Sequence, residues 1–252
     1  MASVAPNEIS LSEAPVKIAN GTLTSKSLVQ SCLDRVNERN DIVQAWAFLD
    51  PDLALAQARE CDQQDAKGLL HGIPIAIKDI IDTADMPTEC NSPIYKGHRP
   101  EQDATVVKLL RNAGAVILGK TVTTEFASTF PGPTTNPHNP KHTPGGSSQG
   151  SGAAVADFMV QAALGTQTGG SVIRPNAYCG TVGYKPPYNT YDKTGVKPLS
   201  STFDTVGFMA RHLDDVPLVS AVLANRDPVK VNKGTTPNLL LHRTAQWDEA
   251  DE

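Results

Sequence analysis

The chain has 252 residues, of which 39% are hydrophobic and 19% charged, a composition that excludes a disordered or highly charged solvating segment. Its formal net charge is −5 and it has no contiguous basic run, so nucleic acid is not expected as a partner. Four widely spaced cysteines lack a C-x-x-C pair, which argues against a zinc site and a disulfide scaffold. Without a signal layout or an apolar run of about 18 residues, the sequence predicts a cytoplasmic protein with no membrane partner.

The first hundred residues predict two helices and a strand. An apolar stripe with helical spacing runs to about residue 40 and follows Thr24 and Ser25, which both offer N-capping oxygens. A second helix over 51–63 begins with a proline, which suits the first turn of a helix. β-Branched residues alternate with other residues over 73–77, which predicts a strand with Pro74 near its start or on an edge.

The middle of the chain alternates helices with strands. Asp103 is expected to cap a helix that closes at 112–114, and an apolar strand over 115–118 follows it. The turn-rich stretch 131–146 is long for a compact domain and is typical of a functional site. Further along we expect a helix over 150–158, a strand over 160–164, a helix over 216–223 and an irregular, poorly ordered tail from 226 onward. This alternation predicts an α/β fold in which helices flank a mixed sheet.

Two loops rich in glycine and serine are the strongest candidates for a site. The first spans 144–152, and the second spans 168–171, where the sequence reads Thr-Gly-Gly-Ser. Paired glycines before a serine let the backbone turn tightly and direct consecutive N–H groups into one small space. An acyl-transfer enzyme uses such donors to stabilise an oxyanion, and the alternative is a pair of ordinary tight turns.

Other catalytic templates fit these loops poorly. Residues 146–150 match G-x-S-x-G, which would make Ser148 a nucleophile, but the proline-rich residues before it do not predict the strand that this elbow requires. The six histidines show no metal-ligand spacing, so no metal is expected. A serine nucleophile then needs another base, and Lys78 at the end of an apolar run is a candidate. The alternative is that Lys78 is an edge charge whose amine reaches water.

Three blocks, taken in order, resemble the amidase signature family of serine hydrolases. They are Gly-Ile-Pro-Ile-Ala-Ile-Lys-Asp over 72–79, Pro-Gly-Gly-Ser-Ser-Gln-Gly-Ser over 144–151 and Gly-Thr-Gln-Thr-Gly-Gly-Ser over 165–171. A lesser match lies within 199–207, and the whole resemblance covers roughly 28–223. It implies the family's α/β fold and hydrolysis of the C–N bond of a small amide, with no metal or organic cofactor.

The resemblance also implies roles for individual residues. Ser171 would be the acylated nucleophile, Ser147 would follow a cis peptide bond and relay protons, and Lys78 would be the general base. The oxyanion hole would consist of the backbone N–H groups of Thr168, Gly169, Gly170 and Ser171. Ser148 is grouped with the substrate-binding residues, where it is expected to support the loop by hydrogen bonding rather than to attack substrate.

Two positions depart from the common family pattern. Gln167 stands where many members have aspartate, and Arg174 follows the nucleophile by three residues, an order that looks more like malonamidase-type members. An arginine here could bind a substrate carboxylate in bidentate fashion, which favours a small amide bearing a carboxylate as substrate. The alternative is that Arg174 ties down the loop.

Members of the family are considerably longer, and their later half supplies further strands and much of the pocket wall. The resemblance therefore predicts an amidase signature domain over 1–225, with its core at about 65–215, a tail over 226–252, and a fold that is incomplete on its C-terminal side. Missing strands would leave a sheet edge that a second copy or a partner chain could complete. Two hypotheses follow: an active amidase, or a truncated, non-catalytic member that serves in binding or as an assembly subunit.

Overall fold

The computed structural model describes residues 4–229 together with positions 236, 238, 240, 243, 245 and 247. These residues form the strands β1 (Trp46–Leu49), β2 (Pro74–Lys78), β3 (Val116–Thr121), β4 (Ala162–Gln167), β5 (Val182–Tyr184) and β6 (Thr205–Ala210). They also form the helices α1 (Ala14–Ala19), α2 (Ser25–Val43), α3 (Pro51–Asp62), α4 (Thr105–Asn112), α5 (Gln149–Ala156), α6 (Ile173–Cys179) and α7 (Val216–Leu223). Short 3-10 turns lie at Pro6–Glu8, Pro93–Tyr95, Glu125–Ala127 and Leu213–Asp215.

The strands build one mixed sheet in the order β1-β3-β2-β4-β6-β5. The central strands β3, β2 and β4 are parallel, and the other pairings are antiparallel. Successive residues of β2 face opposite sides of the sheet and belong to different apolar clusters. Ile75 and Ile77 share one cluster with residues of α4 and α7, whereas Ala76 shares the other with residues of α2, α3 and α5. Helices therefore cover both faces of the sheet, which confirms the predicted α/β class.

The two helices and the strand predicted for the first hundred residues agree with the structure, whereas α1 and β1 were not predicted, and Thr24 rather than Ser25 is the cap of α2. The hydroxyl of Thr24 accepts the backbone N–H of Ser27 at 3.0 Å, and the Ser27 hydroxyl in turn accepts the N–H of Thr24 at 3.2 Å. The helix that follows ends at Val43, and the next residue, Gln44, caps it with a left-handed φ of 51°. Pro74 is the first residue of β2, where its missing N–H removes least from the ladder.

The prediction that Asp103 caps α4 is wrong. Its carboxylate accepts the backbone N–H of Ala84 at 2.8 Å and a guanidinium N–H of Arg111 at 2.9 Å. Ala104 precedes the helix and provides no side-chain cap. The carboxylate is engaged by the turn around Ala84 and by the arginine in the last turn of the helix, so it is not directed at the first helical N–H groups.

Three of the observed strands were not predicted. β1 and β5 are edge strands of four and three residues, which is too short for an alternating pattern to stand out in sequence. β6 contains Gly207, and glycine weakens the strand signal. The boundaries of β4 also differ, since this strand spans 162–167 rather than 160–164.

The predicted tail begins inside the described part of the chain and continues beyond it. Residues 226–229 form neither helix nor strand. From 230 on, the prediction lies outside the described residues, apart from the single positions named above. The irregular tail and the domain boundary at 225 therefore stay predictions.

Three features of the described residues concern membranes, metals and thiols. No helix among them combines the length and apolar character that a membrane span requires. No set of three or more His, Cys, Asp or Glu side chains within the same residues is placed to hold a metal ion. The four cysteines are free thiols, and three of them are buried.

Candidate active site

The carboxyl ends of the parallel strands β2 and β4 meet at one edge of the sheet. Lys78 is the last residue of β2, Gln167 is the last residue of β4, and the two strands are direct neighbours. Ligand sites of open α/β sheets lie beyond such strand ends. The two glycine- and serine-rich loops also meet here, because the backbone N–H of Ser148 donates to the carbonyl of Ser171 at 3.3 Å. The three sequence blocks thus come together in space.

Lys78 is completely buried. Its Nζ donates hydrogen bonds to Ser147 Oγ at 2.7 Å and to Thr166 Oγ1 at 2.9 Å. Burial disfavours the charged amine and lowers the pKa of Lys78 from 10.5 to about 7, while the carboxylate of Asp204 opposes this fall. At neutral pH such a lysine holds a large neutral fraction that can accept a proton. The alternative of an edge lysine reaching water does not fit this burial.

The two adjacent serines before α5 have different surroundings. The Gly146–Ser147 peptide bond is cis, and Ser147 lines a cavity. Ser148 is fully buried, and its hydroxyl donates to the backbone carbonyl of Thr166 at 3.3 Å. Ser148 therefore supports the loop from inside the protein. Ser148 does not line the cavity that Ser147 lines, and its place among the substrate-binding residues stays a prediction.

Gly150 brings the first turn of α5 close to the end of β3. A Cβ at this position would lie 2.1 Å from the carbonyl oxygen of Ala45 and 2.5 Å from the backbone nitrogen of Val122. The N–H of Gly150 donates to the carbonyl of Val122 at 2.9 Å. Since these neighbours are backbone atoms, only glycine permits the approach, which explains this residue of the second block.

Ser171 ends the Thr-Gly-Gly-Ser loop and lines the same cavity as Ser147. Among the hydrogen bonds between described residues, none uses the backbone N–H groups of Gly169, Gly170 or Ser171 as donors. In that same part of the chain, no hydrogen bond joins the hydroxyls of Ser147 and Ser171, and catalytic contacts of this kind often tighten only when substrate binds. The loop thus presents a hydroxyl together with a row of unpaired N–H donors.

The side-chain amide of Gln167 holds this loop both as a hydrogen-bond acceptor and as a hydrogen-bond donor. Its Oε1 accepts the backbone N–H groups of Val172 and Ile173 at 2.8 and 2.9 Å, at the start of α6. Its Nε2 donates to the carbonyl of Gly169 at 2.8 Å. An ionised aspartate, which many family members have here, accepts hydrogen bonds but cannot donate them. The amide therefore adds a contact to the loop backbone that an aspartate could not make.

The two loops border a cavity of about 430 Å³, which lies within the usual range for small-molecule sites. Arg174 lines it beside Ser147 and Ser171, and its Nη2 lies 2.9 Å from the point where a Cβ on Gly170 would stand. The guanidinium forms no ion pair and donates no hydrogen bond to any described residue. This exposure to the cavity fits a ligand contact better than the alternative of a loop tie.

Two polar side chains at the site received no role from the sequence. Thr166 accepts a hydrogen bond from Lys78 at 2.9 Å, and the hydroxyl of Thr168 donates to Asp204 at 2.5 Å. The signal that could have identified Thr166 is its spacing of two from Thr168 at the end of a strand, which places both side chains on one face. Asp204 lies in the lesser sequence match but came without a role.

A second completely buried lysine, Lys120 on β3, has a different environment. Its Nζ lies 3.3 Å from Asp79 Oδ1 and donates to Thr88 Oγ1 at 2.6 Å. Burial lowers the pKa of Lys120, and the carboxylate of Asp79 opposes that fall. The two buried lysines therefore differ in their partners, because Lys120 forms an ion pair whereas Lys78 is hydrogen-bonded to hydroxyl groups.

Comparison with known proteins adds independent evidence. The family model described as Amidase matches residues 27–248. A glutamyl-tRNA(Gln) amidotransferase subunit from Chloroflexus aurantiacus is 42% identical over 232 residues, which cover 88% of this chain and 48% of that protein. The protein of the same name from Thermobifida fusca is 41% identical over 243 residues, which cover 91% of this chain and 49% of the relative. The chain thus spans about half the length of the curated relatives it matches.

Solved structures agree with this assignment. Native peptide amidase from Stenotrophomonas maltophilia is 36% identical and has a TM-score of 0.82, with 87% of this chain and 48% of that chain covered. The family match includes all three sequence blocks and extends past residue 225. Because the match covers most of the sequence and a relative of similar fold is known, the chain belongs to the amidase family.

Proposed function

We propose that this site is that of an amidase, which hydrolyses the C–N bond of a small carboxylic amide through an acyl-enzyme on Ser171. The observation that carries the proposal is the buried hydrogen bond of 2.7 Å between Lys78 Nζ and Ser147 Oγ, at the cavity that Ser171 also lines. No carboxylate among residues 4–229 forms an ion pair with Lys78. A buried lysine in such surroundings is costly when charged, so its presence here favours a role for the neutral amine.

In the first half of the reaction, Ser171 Oγ attacks the carbonyl carbon of the amide, and its proton passes through the Ser147 hydroxyl to Lys78. The carbonyl oxygen becomes an oxyanion, which the backbone N–H groups of residues 168–171 stabilise. Collapse of this intermediate breaks the C–N bond, and the proton returns from Lys78 through Ser147 to the leaving nitrogen. This half releases ammonia or an amine and leaves an acyl ester on Ser171.

In the second half, water attacks the ester carbonyl and transfers its proton along the same route to Lys78. The new oxyanion occupies the same group of N–H donors. Its collapse breaks the ester bond, releases the carboxylic acid and returns the proton to Ser171 Oγ. The lysine thus accepts and returns one proton in each half, and the cycle uses neither a metal nor an organic cofactor.

Arg174 supports a finer assignment of the substrate. Its guanidinium lines the cavity beside Ser171 and is engaged by no described side chain or carbonyl. A guanidinium binds a carboxylate through two parallel hydrogen bonds, and the cavity of about 430 Å³ suits a small molecule. We therefore favour a small amide that also bears a carboxylate.

A second candidate is a non-catalytic member that serves in binding or as an assembly subunit. The observation that favours it is that the relatives of this chain are named as subunits of an amidotransferase. In this case a second copy or a partner chain would complete the fold, and the cavity would bind a ligand without turnover.

Release of ammonia from small primary amides, with and without a carboxylate, tests the two candidates. The purified chain is compared with Ser171→Ala, which removes one half-buried hydroxyl and serves as the matched control. The amidase proposal predicts release by the parent and none by the variant. A folded parent chain that releases no ammonia between about pH 6 and 9 would support the non-catalytic candidate.

A further inference from the structure

Asp204 lies where two loops of the site meet, directly before β6. Its Oδ1 accepts the hydroxyl hydrogen of Thr168 at 2.5 Å, and its Oδ2 accepts the backbone N–H groups of Leu199 and Ser200, each at 2.8 Å. Thr168 begins the loop that ends at Ser171, and Leu199 lines the cavity of the site. One carboxylate thus holds both loops.

The carboxylate of Asp204 lies on the same face of the sheet as Thr166, which is a hydrogen-bond partner of Lys78. Lys78 Nζ donates to Thr166 Oγ1 at 2.9 Å, and Thr166, Thr168 and Asp204 all line one small cavity. The register of β6 against β4 places Asp204 beside Thr168. A chain of polar groups therefore runs from the lysine past two threonine side chains to the carboxylate.

We propose that Asp204 is a positioning residue of this site, which fixes the loops of Thr168 and Leu199 and places a negative charge close to Lys78. The proposal rests on the proposed function, because it concerns the lysine in its role as base. Asp204 does not line the cavity that Ser147 and Ser171 share, so it acts through its neighbours and through its charge.

The charge of Asp204 counteracts the effect of burial on Lys78. Burial lowers the pKa of that lysine to about 7, and the carboxylate of Asp204 opposes the shift, so removal of the charge should lower the pKa further. Other charged or titratable groups in this region are Asp79, Asp82, His98, Lys120, Arg174, Lys193 and Lys197. Asp79 compensates Lys120 in an ion pair of 3.3 Å, and the charge of Asp82 interacts with Lys120, His98 and Lys197. Among these carboxylates, Asp204 is the one whose charge acts on Lys78.

The test measures how fast a fluorophosphonate probe labels the full chain between about pH 5 and 9, followed by intact mass. The labelling rate of the parent should decrease as the pH is lowered past about 7, because Lys78 then becomes protonated. Asp204→Asn should move this fall to lower pH by about one unit, because it removes the charge and keeps the shape of the side chain. Asp192→Asn, which removes an exposed carboxylate, is the matched control and should leave the fall in place.

Further variants separate charge from loop positioning. Thr168→Val keeps the charge of Asp204 but removes the hydrogen bond of 2.5 Å, so it should lower the rate without moving its pH dependence. Thr168→Ser restores the hydroxyl and should restore the rate. If Asp204→Asn fails to fold, Asp204→Glu replaces it, and a reduced rate with the parent pH dependence is then expected.

The outcomes distinguish this proposal from the one on which it rests. A parent chain that is not labelled at Ser171 overturns the proposed function, and the role of Asp204 falls with it. A labelled parent whose pH dependence is the same in Asp204→Asn, or an Asp204→Glu variant with the full parent rate, overturns the role of Asp204 alone.

Discussion

Replacement of Lys78 by methionine should stabilise the protein near neutral pH, although it removes the proposed base. Burial lowers the pKa of this lysine from 10.5 to about 7. Below both values the difference corresponds to a destabilisation of about 5 kcal/mol, since each pKa unit is worth about 1.4 kcal/mol. Methionine has a similar volume and no charge, but it leaves the hydroxyls of Ser147 and Thr166 without their donor, at a cost of about 1 kcal/mol each. The net gain in the free energy of unfolding at pH 7 is then about 2–3 kcal/mol.

The pH dependence of this gain follows from proton binding. Because the pKa of Lys78 is lower in the folded chain, the unfolded chain binds more protons at this residue between about pH 7 and 10.5. The free energy of unfolding of the parent therefore rises with pH across this window, and the rise contributed by Lys78 is absent in Lys78→Met. The advantage of the variant should shrink as the pH increases and should be gone by about pH 9, above which the two hydroxyls without a donor leave the variant slightly less stable than the parent.

Urea unfolding at about pH 7 and pH 9.5 measures both effects, and Lys120→Met is the matched control. Lys120 is also completely buried, but its loss leaves Asp79 as a buried carboxylate without its ion pair of 3.3 Å. The control should therefore be less stable than the parent by about 3–5 kcal/mol. A Lys78→Met variant that is less stable than the parent by equal amounts at both pH values would refute the reasoning, because Lys78 would then be a charged, compensated residue.

Three further substitutions test other parts of the site. Ser171→Ala should abolish turnover while changing the free energy of unfolding by no more than about 0.5 kcal/mol, and retained turnover would remove Ser171 from its role. Arg174→Ala should raise KM for amides bearing a carboxylate by about tenfold or more and spare neutral amides, whereas an equal loss on both would indicate a structural arginine. Gly150→Ala should destabilise the chain by about 2–3 kcal/mol in urea unfolding, because its Cβ would lie 2.1 Å from a backbone oxygen. Gly169→Ala, with nothing within 4 Å of the added Cβ, is the control, and equal losses would contradict this account.

Elements with strong local signals could be predicted from the sequence. The apolar stripe and the two candidate capping residues Thr24 and Ser25 placed the start of α2 to within one residue, and the alternating residues 73–77 lie within one residue of β2. The edge strands β1 and β5 depend on pairing with distant residues, so short segments such as 182–184 carry little signal of their own. The prediction that Asp103 caps α4 was wrong for a similar reason, because the hydrogen-bond partners of its carboxylate include Ala84, which lies nineteen residues away.

Motifs could identify the residues of the candidate site but not the contacts between the blocks. Lys78 and Thr166 are 88 residues apart, and only the pairing of β2 with β4 brings them together. The same pairing buries the lysine, which no property of the local sequence could establish. Asp204 joins the site through the antiparallel register of β6, and Ser148 turns into the protein interior although it adjoins Ser147 in the sequence.

The central claim is that Lys78, Ser147 and Ser171 form one reactive site, and covalent labelling tests it most directly. The purified chain is treated with a fluorophosphonate probe at about pH 8, and its intact mass is compared with that of Ser171→Ala. We expect one adduct on the parent, located at Ser171 by peptide mapping, and none on the variant. A folded parent chain that takes up no probe, or an adduct that persists in Ser171→Ala, would contradict the central claim.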